Sequence, residues 1–133
     1  MAILLPYGLE YNMHKNGHLT AELLLPMAGA EVYAATPKEE RAEKVIALIR
    51  LMNQDLHEAT GGRHARFLKE ALDRDGKEMV PKEKLPDIAE TALRDGSIFY
   101  NPEDLDYNDF RMVLEAAWEG VPLKANPMTS GMP

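Results

Sequence analysis

Two pairs of histidines are the side chains best suited to bind a metal ion or to act as a general base. His14 and His18 have the four-residue spacing that places two ligands on one face of a helix. No glutamate follows His14, however, and the intervening Asn16-Gly17 is a turn sequence that would interrupt such a helix. The pattern therefore favours two solvated surface histidines over a metal site.

The second pair, His57 and His64, flanks Gly61-Gly62. A turn at the two glycines could bring the rings together, with Glu58 nearby as a third ligand. Nothing in the sequence fixes that geometry, and polar residues beside a loop are commonly just solvated. Metal binding is thus one hypothesis for this pair, and solvated side chains are the favoured one.

Carboxylates are frequent enough that two of them could form a general acid–base pair, as in glycosidases. Most, however, fall in first helical turns, where negative charge complements the helix dipole, or opposite an apolar stripe. These are Glu39, Glu40, Glu83, Asp87 and the acidic residues of segment 104–109. The two serines, Ser97 and Ser130, lack an evident base, and no phosphate-binding glycine loop or Gly-x-Ser-x-Gly elbow occurs. From the residues alone we assign no catalytic side chain, no cofactor-binding side chain and no metal ligand.

The composition is that of one soluble globular domain. Its 133 residues suffice for a core without disulfides, and the absence of cysteine excludes thiolate ligands and a Cys nucleophile. Lys and Arg number 15 against 22 Asp and Glu, and the resulting net charge of −7 would repel nucleic acid and anionic membranes. No stretch approaches the roughly 20 apolar residues that cross a bilayer, and residues 1–6 do not resemble a signal peptide. We expect a cytoplasmic protein without nucleic-acid or membrane partners.

The elements that would position these side chains are helices. We predict an all-α bundle of about six helices over residues 1–120 and a flexible tail over residues 121–133, which is rich in proline and small polar residues. The best candidate for a strand, residues 31–35, is very short. The first two helices are predicted at residues 2–13 and 19–28, each bent by a proline (Pro6 and Pro26) and separated by Asn16-Gly17.

The third helix has the most complete pattern. Thr36-Pro37-Lys38-Glu39 combines an N-cap threonine, a proline at the first helical position and a glutamate three residues after the cap. Three- and four-residue steps then predict one buried stripe, and the helix should end before Gly61-Gly62. The stripe consists of Ala42, Val45, Ile46, Ile49, Met52 and Leu56.

Three further helices complete the prediction. A short surface helix at residues 63–74 would place Phe67, Leu68, Ala71 and Leu72 on one side. A fifth, at residues 85–95, would turn Ile88, Ala89, Ala92 and Leu93 inward and end on a left-handed Gly96. In the sixth, Asp106 caps Asp109, Leu105 and Phe110 form a hydrophobic staple, and Val113, Leu114, Ala117 and Trp118 continue the apolar stripe. The single tryptophan should anchor the core.

Two stretches of the sequence resemble iron-containing (group III) alcohol dehydrogenases. Ala2-Ile3-Leu4-Leu5-Pro6-Tyr7, followed by Glu10-Tyr11-Asn12, resembles the family segment that comes directly after a Pro-His-Gly motif. Ala92-Leu93-Arg94-Asp95-Gly96, Asn101-Pro102 and Leu114-Glu115-Ala116-Ala117-Trp118 resemble its C-terminal pattern. Segment 39–56 is similar to the family's long amphipathic helix, and the resemblance spans residues 2–119 except for segment 60–81.

The resemblance implies the back part of a helical metal-binding domain. In the family, one aspartate and three histidines hold iron or zinc, and an N-terminal α/β domain binds NAD(P), so that hydride passes from alcohol to nicotinamide. The last of those histidines belongs to Pro-His-Gly, upstream of Ala2, so none of His14, His18, His57 and His64 corresponds to a ligand. Segment 97–100 would lie near the substrate side.

We therefore expect a C-terminal fragment or split subunit of such a dehydrogenase, inactive alone and without its own cofactor. The alternative is a non-enzymatic helical module that forms a homo-oligomer or pairs with a separately encoded N-terminal half, because an unpaired packing face tends to find a partner. A third hypothesis is an independent metalloenzyme that uses the four histidines.

Overall fold

The computed structural model describes residues 2–123. Over these residues the chain forms seven α-helices and no β-strand, so the all-α prediction is confirmed and the expected number of about six helices was too low. The helices are α1 (Leu5–Tyr11), α2 (Met13–Glu22), α3 (Leu24–Ala28), α4 (Ala30–Ala35), α5 (Arg41–Ala59), α6 (Leu85–Leu93) and α7 (Tyr107–Glu119). Short 3-10 turns lie at Lys38–Glu40, Leu68–Glu70, Lys82–Lys84 and Gly96–Tyr100.

The core consists of two clusters with α1 between them. The first joins α3 and α5 through buried Leu24, Val45 and Ile49, and Leu9 of α1 packs against it. The second joins α6 and α7 through buried Leu85, Ala89 and Leu114, and Leu4, just before α1, packs against it together with Trp118. Because α1 contacts both clusters, it fixes the two halves of the bundle relative to each other.

Helix α5 confirms the predicted stripe over its first three turns only. Ala42, Val45, Ile46 and Ile49 are buried, whereas Met52 and Leu56 are 53% and 42% exposed. The buried position in that part of the helix belongs to Asn53, 5% exposed, whose amide nitrogen donates to the Ala2 carbonyl at 3.2 Å. The helix ends at Ala59, and Gly61 and Gly62 take left-handed φ values after it, as the sequence predicted.

The predicted N-cap at Thr36 was wrong. The Thr36 hydroxyl donates to the Val32 carbonyl at 2.7 Å, one turn back in α4, and no side-chain cap forms at the start of the following 3-10 turn or of α5. A 3-10 turn precedes α5 instead, and Arg41 at the start of α5 donates from Nε to the Tyr33 and Thr36 carbonyls, both at 3.1 Å. Residues 31–35, the strand candidate, lie in α4.

The N-terminal helices are divided at other places than the sequence indicated. Asn16-Gly17 lies inside α2, which packs along α5, so tertiary packing outweighs the turn propensity. A Cβ on Gly17 would stand 3.0 Å from the Met13 Sδ, so a larger residue there would require the Met13 side chain to shift. The second predicted helix is interrupted at Leu23, because Pro26 has no N–H to donate to the carbonyl of Glu22, the last residue of α2. Pro6 lies in the first turn of α1, where it is tolerated.

The helix predicted at residues 63–74 was also wrong. Only the 3-10 turn at Leu68–Glu70 forms, and Leu72 is 55% exposed. The Asp73 carboxylate accepts hydrogen bonds from the backbone N of Asp75 and Lys77, so the chain turns at left-handed Gly76 and makes one antiparallel bridge between Leu72 and Glu78. An aspartate that bonds nearby amides competes with helix formation in this way.

Helix α6 is shorter and less buried than expected. Ala89 is fully buried, but Ile88 and Leu93 are 37% and 38% exposed. Gly96 is not left-handed, because the chain enters a 3-10 turn there and the Asp95 carboxylate accepts from the backbone N of Ser97 at 2.9 Å.

Helix α7 confirms its prediction. Asp106 and Asp109 form a reciprocal capping box, and Trp118 packs against the second cluster while its indole N–H donates to the Val80 carbonyl at 2.8 Å. Gly120 ends the helix in the left-handed conformation. Of the tail predicted at residues 121–133, residues 124–133 lie outside the described part of the chain.

Candidate functional site

His14 and His18 both lie on α2, which runs through them without a break. The four-residue spacing is therefore helical, contrary to the expected interruption, and both side chains are exposed. Across residues 2–123, no group of three or more His, Asp or Glu side chains is arranged to hold a metal ion. The structure thus supplies no further ligand to this pair.

His57 and His64 are brought together by the turn at Gly61-Gly62, but not as two ligands of one site. His57 Nδ1 lies 2.7 Å from the His64 carbonyl oxygen, so Nδ1 carries a hydrogen and donates it. His64 Nε2 lies 3.0 Å from the Asn53 side-chain oxygen and donates to it. Glu58, the expected third ligand, instead accepts from Gln54 at 2.9 Å.

A carboxylate that the sequence did not indicate, that of Glu70, also lies beside His57. Glu70 Oε2 lies 3.8 Å from His57 Nε2 and 2.6 Å from Arg66 Nη2. Its other oxygen accepts from the Arg66 backbone N at 3.0 Å. The hydrogen bond from Arg66 is the main cause that lowers the pKa of the Glu70 carboxyl, with burial opposing it. A carboxylate held ionised in this way can fix the loop against α5. It is not suited to donate a proton at neutral pH.

A bidentate ion pair joins α1 to α5. Arg50 Nη1 and Nη2 each lie 2.6 Å from one oxygen of Glu10, and the guanidinium stands 4.9 Å from the centre of the Tyr7 ring. The same carboxylate accepts from the backbone N of Leu123 at 3.0 Å. Burial lowers the pKa of Arg50, but the hydrogen bonds and the negative charge of Glu10, together with Tyr7, more than offset this, so the net shift of the pKa is upward. Forty residues separate the partners, and no local pattern in the sequence indicates the pair.

The most distinctive polar contact lies where α1 ends against the segment before α7. The Tyr11 hydroxyl donates to the Asp104 carbonyl at 2.8 Å. The side-chain amides of Asn12 and Asn101 bond reciprocally, at 3.0 and 2.9 Å, and Asn101 also donates to the Glu103 carbonyl at 2.7 Å. We call these contacts of Tyr11, Asn12, Asn101 and Asp104 the α1–α7 junction.

A partly open cavity of about 280 Å³ lies next to the α1–α7 junction. Its lining is almost entirely apolar and comes from α1, α6, α7 and the segment before α7. Gly8, Ile88 and Phe110 are among the lining residues, and Tyr11, Asn12 and Asn101 bring the junction to its edge. We call this space the α1–α6–α7 cavity. It is the concave apolar site with a few polar groups that ligands and partner side chains prefer.

Several carboxylates lie near the Tyr11 hydroxyl, which is at the edge of this cavity. Burial is the main cause that raises the pKa of the Tyr11 hydroxyl, and the negative charges of Asp109, Glu103 and Asp106 raise it further. The hydroxyl therefore stays protonated and donating at neutral pH. Within residues 2–123, Asp106 and Asp109 form no ion pair, and their carboxylates accept backbone hydrogen bonds at the start of α7. The charge near the Tyr11 hydroxyl is therefore negative, although neither aspartate lines the cavity.

The remaining candidates from the sequence are dispersed. Asp87 lies in the first turn of α6, and Asp109 in that of α7, as the helix-dipole interpretation predicted. Glu39, Glu40 and Glu83 lie in the 3-10 turns before α5 and α6. Ser97 lies beside Asp95, which its backbone N contacts, and Ser130 is outside the described residues.

No family model, curated protein or solved structure matches this chain. Of the helices described, none has both the length and the apolar character needed to cross a membrane.

Proposed function

We propose that this chain forms the back of the helical domain of an iron-dependent, NAD(P)-linked alcohol dehydrogenase, and that polypeptide outside this sequence supplies the metal ligands and the dinucleotide-binding domain. The described residues do not fit the metal themselves, because the histidines are dispersed on α2 or bound into the turn after α5. The role of this chain is then to support the metal-binding helices from behind and to act only in the assembled enzyme.

The α1–α7 junction is the observation that supports this proposal. The two stretches that carry the family resemblance stand about ninety residues apart, yet Asn12 of the first bonds directly to Asn101 of the second. Tyr11 of the first stretch donates to the carbonyl of Asp104, which follows Asn101-Pro102. Leu4 of the first stretch also packs on the cluster that contains Leu114 of the second. Two motifs that belong to one domain of a family should meet in this way.

The test is to isolate the native species with an antibody against this chain and to measure its mass, metal content and activity. We expect a species or complex larger than 14.9 kDa that contains iron or zinc in proportion to the chain and reduces NAD(P)⁺ when a primary alcohol is added. A native species of 14.9 kDa without metal, bound polypeptide or alcohol-dependent reduction of NAD(P)⁺ would overturn the proposal.

Two variants separate this function from an independent metalloenzyme. His14→Ala and His18→Ala change exposed side chains of α2 that have no ligand role in the proposal, so the metal content of the assembled enzyme should stay the same. Loss of the metal in either variant would assign it to this chain's own histidines.

The second candidate function is a non-enzymatic helical interaction module, and exposed apolar side chains favour it. Leu51 and Met52 on α5 are 55% and 53% exposed, and Phe99 and Tyr100 are 87% and 89% exposed. Apolar surface of this extent commonly marks a contact with another polypeptide. An isolated species that binds a second polypeptide but shows neither metal nor alcohol-dependent reduction would support the module over the dehydrogenase.

A further inference from the structure

We propose that the α1–α6–α7 cavity is the docking site for a basic amphipathic helix of another polypeptide, with one large apolar side chain entering over Gly8. The inference deepens the proposed function and rests on it in one respect, namely that the partner polypeptide is helical. The recognition mode is helix-in-groove binding, in which an apolar anchor provides affinity and charges at the edge provide orientation.

Gly8 is the residue that points to an occupant. It lies in the middle of α1, where glycine is about 1 kcal/mol less favourable than alanine. Its φ is not positive, and a Cβ built on it would meet no heavy atom within 4 Å. Neither backbone conformation nor packing within the described residues therefore requires glycine. Because Gly8 lines the cavity, the space it leaves open is the space that an external side chain would fill.

The size and surroundings of the cavity favour a protein side chain over a cofactor-sized molecule. Small-molecule sites usually enclose roughly 300–1,000 Å³, and this cavity of about 280 Å³ is at or below that range. Exposed apolar side chains also occur on its wall and next to its lining residues in the chain. Ile88, on the cavity wall, is 37% exposed, and Phe99 and Tyr100, in the turn that leads directly into Asn101, are nearly fully exposed. A helix lying across the cavity could cover this wider surface, whereas a small molecule could not.

Charge decides between a foreign helix and a second copy of this chain. Tyr11 lies at the edge of the cavity, close to the carboxylates of Asp106 and Asp109. Neither aspartate lines the cavity, and both cap α7, but neither forms an ion pair in the described structure. The whole chain has a net charge of −7. A second copy would bring further negative charge to this edge, while lysines or arginines flanking an apolar anchor would be complementary to it.

The probe is a synthetic helix-forming peptide of leucine and lysine, compared with a leucine and glutamate peptide of the same pattern. Each is titrated into the isotopically labelled full chain and followed by two-dimensional NMR. We expect the basic peptide to shift the resonances of Gly8, Tyr11 and Ile88 and to bind at least tenfold more tightly than the acidic peptide. Shifts confined to other surfaces, or equal binding of both peptides, would overturn the proposal.

Two variants fill the cavity from different walls, and one matched variant leaves it open. Gly8→Leu on α1 and Ala92→Leu on α6 should each weaken the basic peptide at least tenfold, while circular dichroism checks that the fold is retained. Ala47→Leu adds the same side chain to α5 at an exposed position outside the cavity and should leave the affinity unchanged. Unchanged affinity in both cavity variants would overturn the docking site.

Other occupants of the cavity would give different results in these experiments. If concentrating the protein alone shifts the cavity resonances, the occupant is a second copy and the proposal is wrong. If 1-hexanol shifts the cavity resonances and neither peptide does, the cavity is a small-molecule site and the proposal is also wrong. The peptide assay needs neither metal nor dinucleotide. Peptide binding in a protein whose native species lacks dehydrogenase activity would therefore overturn only the proposed function.

Discussion

The side-chain amides of Asn12 and Asn101 form two reciprocal hydrogen bonds, at 3.0 and 2.9 Å, across 89 positions of the sequence. Each side-chain amide donates a hydrogen bond to the oxygen of the other. The two half-buried amides therefore satisfy each other's hydrogen-bonding groups without water. The pair joins the residue that links α1 and α2 to the segment that precedes α7. It therefore holds the N-terminal end of the described chain against its last helix.

Asn12→Ala should lower the free energy of unfolding by about 1–2 kcal/mol, because it leaves the Asn101 amide without its partner. Urea denaturation followed by circular dichroism measures this, and Asn108→Ala, at an exposed position of α7, is the matched control. The double variant of Asn12 and Asn101 should be less destabilised than the sum of the single variants by about 1 kcal/mol. Additive effects would show that the two amides are not coupled.

Arg50→Met should destabilise the fold by about 2–3 kcal/mol, because it leaves Glu10, whose side chain is only 11% exposed, without its counter-charge. The double change Glu10→Met and Arg50→Met should recover most of that loss, since both charges are removed together. Arg94→Met breaks the exposed Arg94–Glu90 pair and should change stability by less than about 0.5 kcal/mol. If Arg50→Met and Arg94→Met lower the unfolding free energy equally in urea denaturation, burial of Glu10 does not make the loss of its partner more destabilising.

The parts of the fold that the sequence predicted well are those where local pattern and tertiary packing agree. In α7 the Asp106 cap and the stripe to Trp118 favour the same helix that the second cluster needs. Where the two disagree, either tertiary packing or a competing local hydrogen bond decides. Asn16-Gly17 favours a turn, but α2 continues through it along α5, and the apolar pattern of residues 63–74 favours a helix that Asp73 replaces with a turn.

The candidate site could be predicted only where its residues are close in sequence. The glycines between His57 and His64 indicated that a turn could bring these residues together, but the sequence favoured solvated side chains. It gave no sign that the His57 ring would bond the His64 carbonyl. The Glu10–Arg50 and Asn12–Asn101 pairs join residues at least 40 positions apart, and a single sequence carries no information on such pairings. Gly8 is visible in the sequence as a glycine inside an apolar helix, but the open space beside it is known only from the structure.

The Glu70 carboxyl should make stability depend on pH in acid. Because the Arg66 hydrogen bond lowers its pKa in the folded state, the stabilisation is fully present above the unfolded pKa of about 4.3 and is lost as the pH falls through the folded value. The difference in unfolding free energy between wild type and Glu70→Gln should therefore be smaller at about pH 3 than at about pH 7. Glu58→Gln, which removes the same charge from the end of α5, controls for the change in net charge. A difference that stays constant with pH would rule out this linkage.

Substitution by alanine should change the stability in opposite directions at Gly8 and Gly120, because their backbone conformations and surroundings differ. Gly8 lies within α1 and has open space at the Cβ position, so Gly8→Ala should stabilise the isolated chain by about 0.5–1 kcal/mol through helix propensity. Gly120 has φ +84° at the end of α7, and a Cβ there would stand 2.8 Å from the Phe67 ring, so Gly120→Ala should destabilise by at least about 1 kcal/mol. Thermal unfolding of the two variants against wild type measures both signs. A loss of stability in Gly8→Ala would mean that α1 needs this glycine for its own packing, and the argument for an external occupant of the cavity would lose its basis.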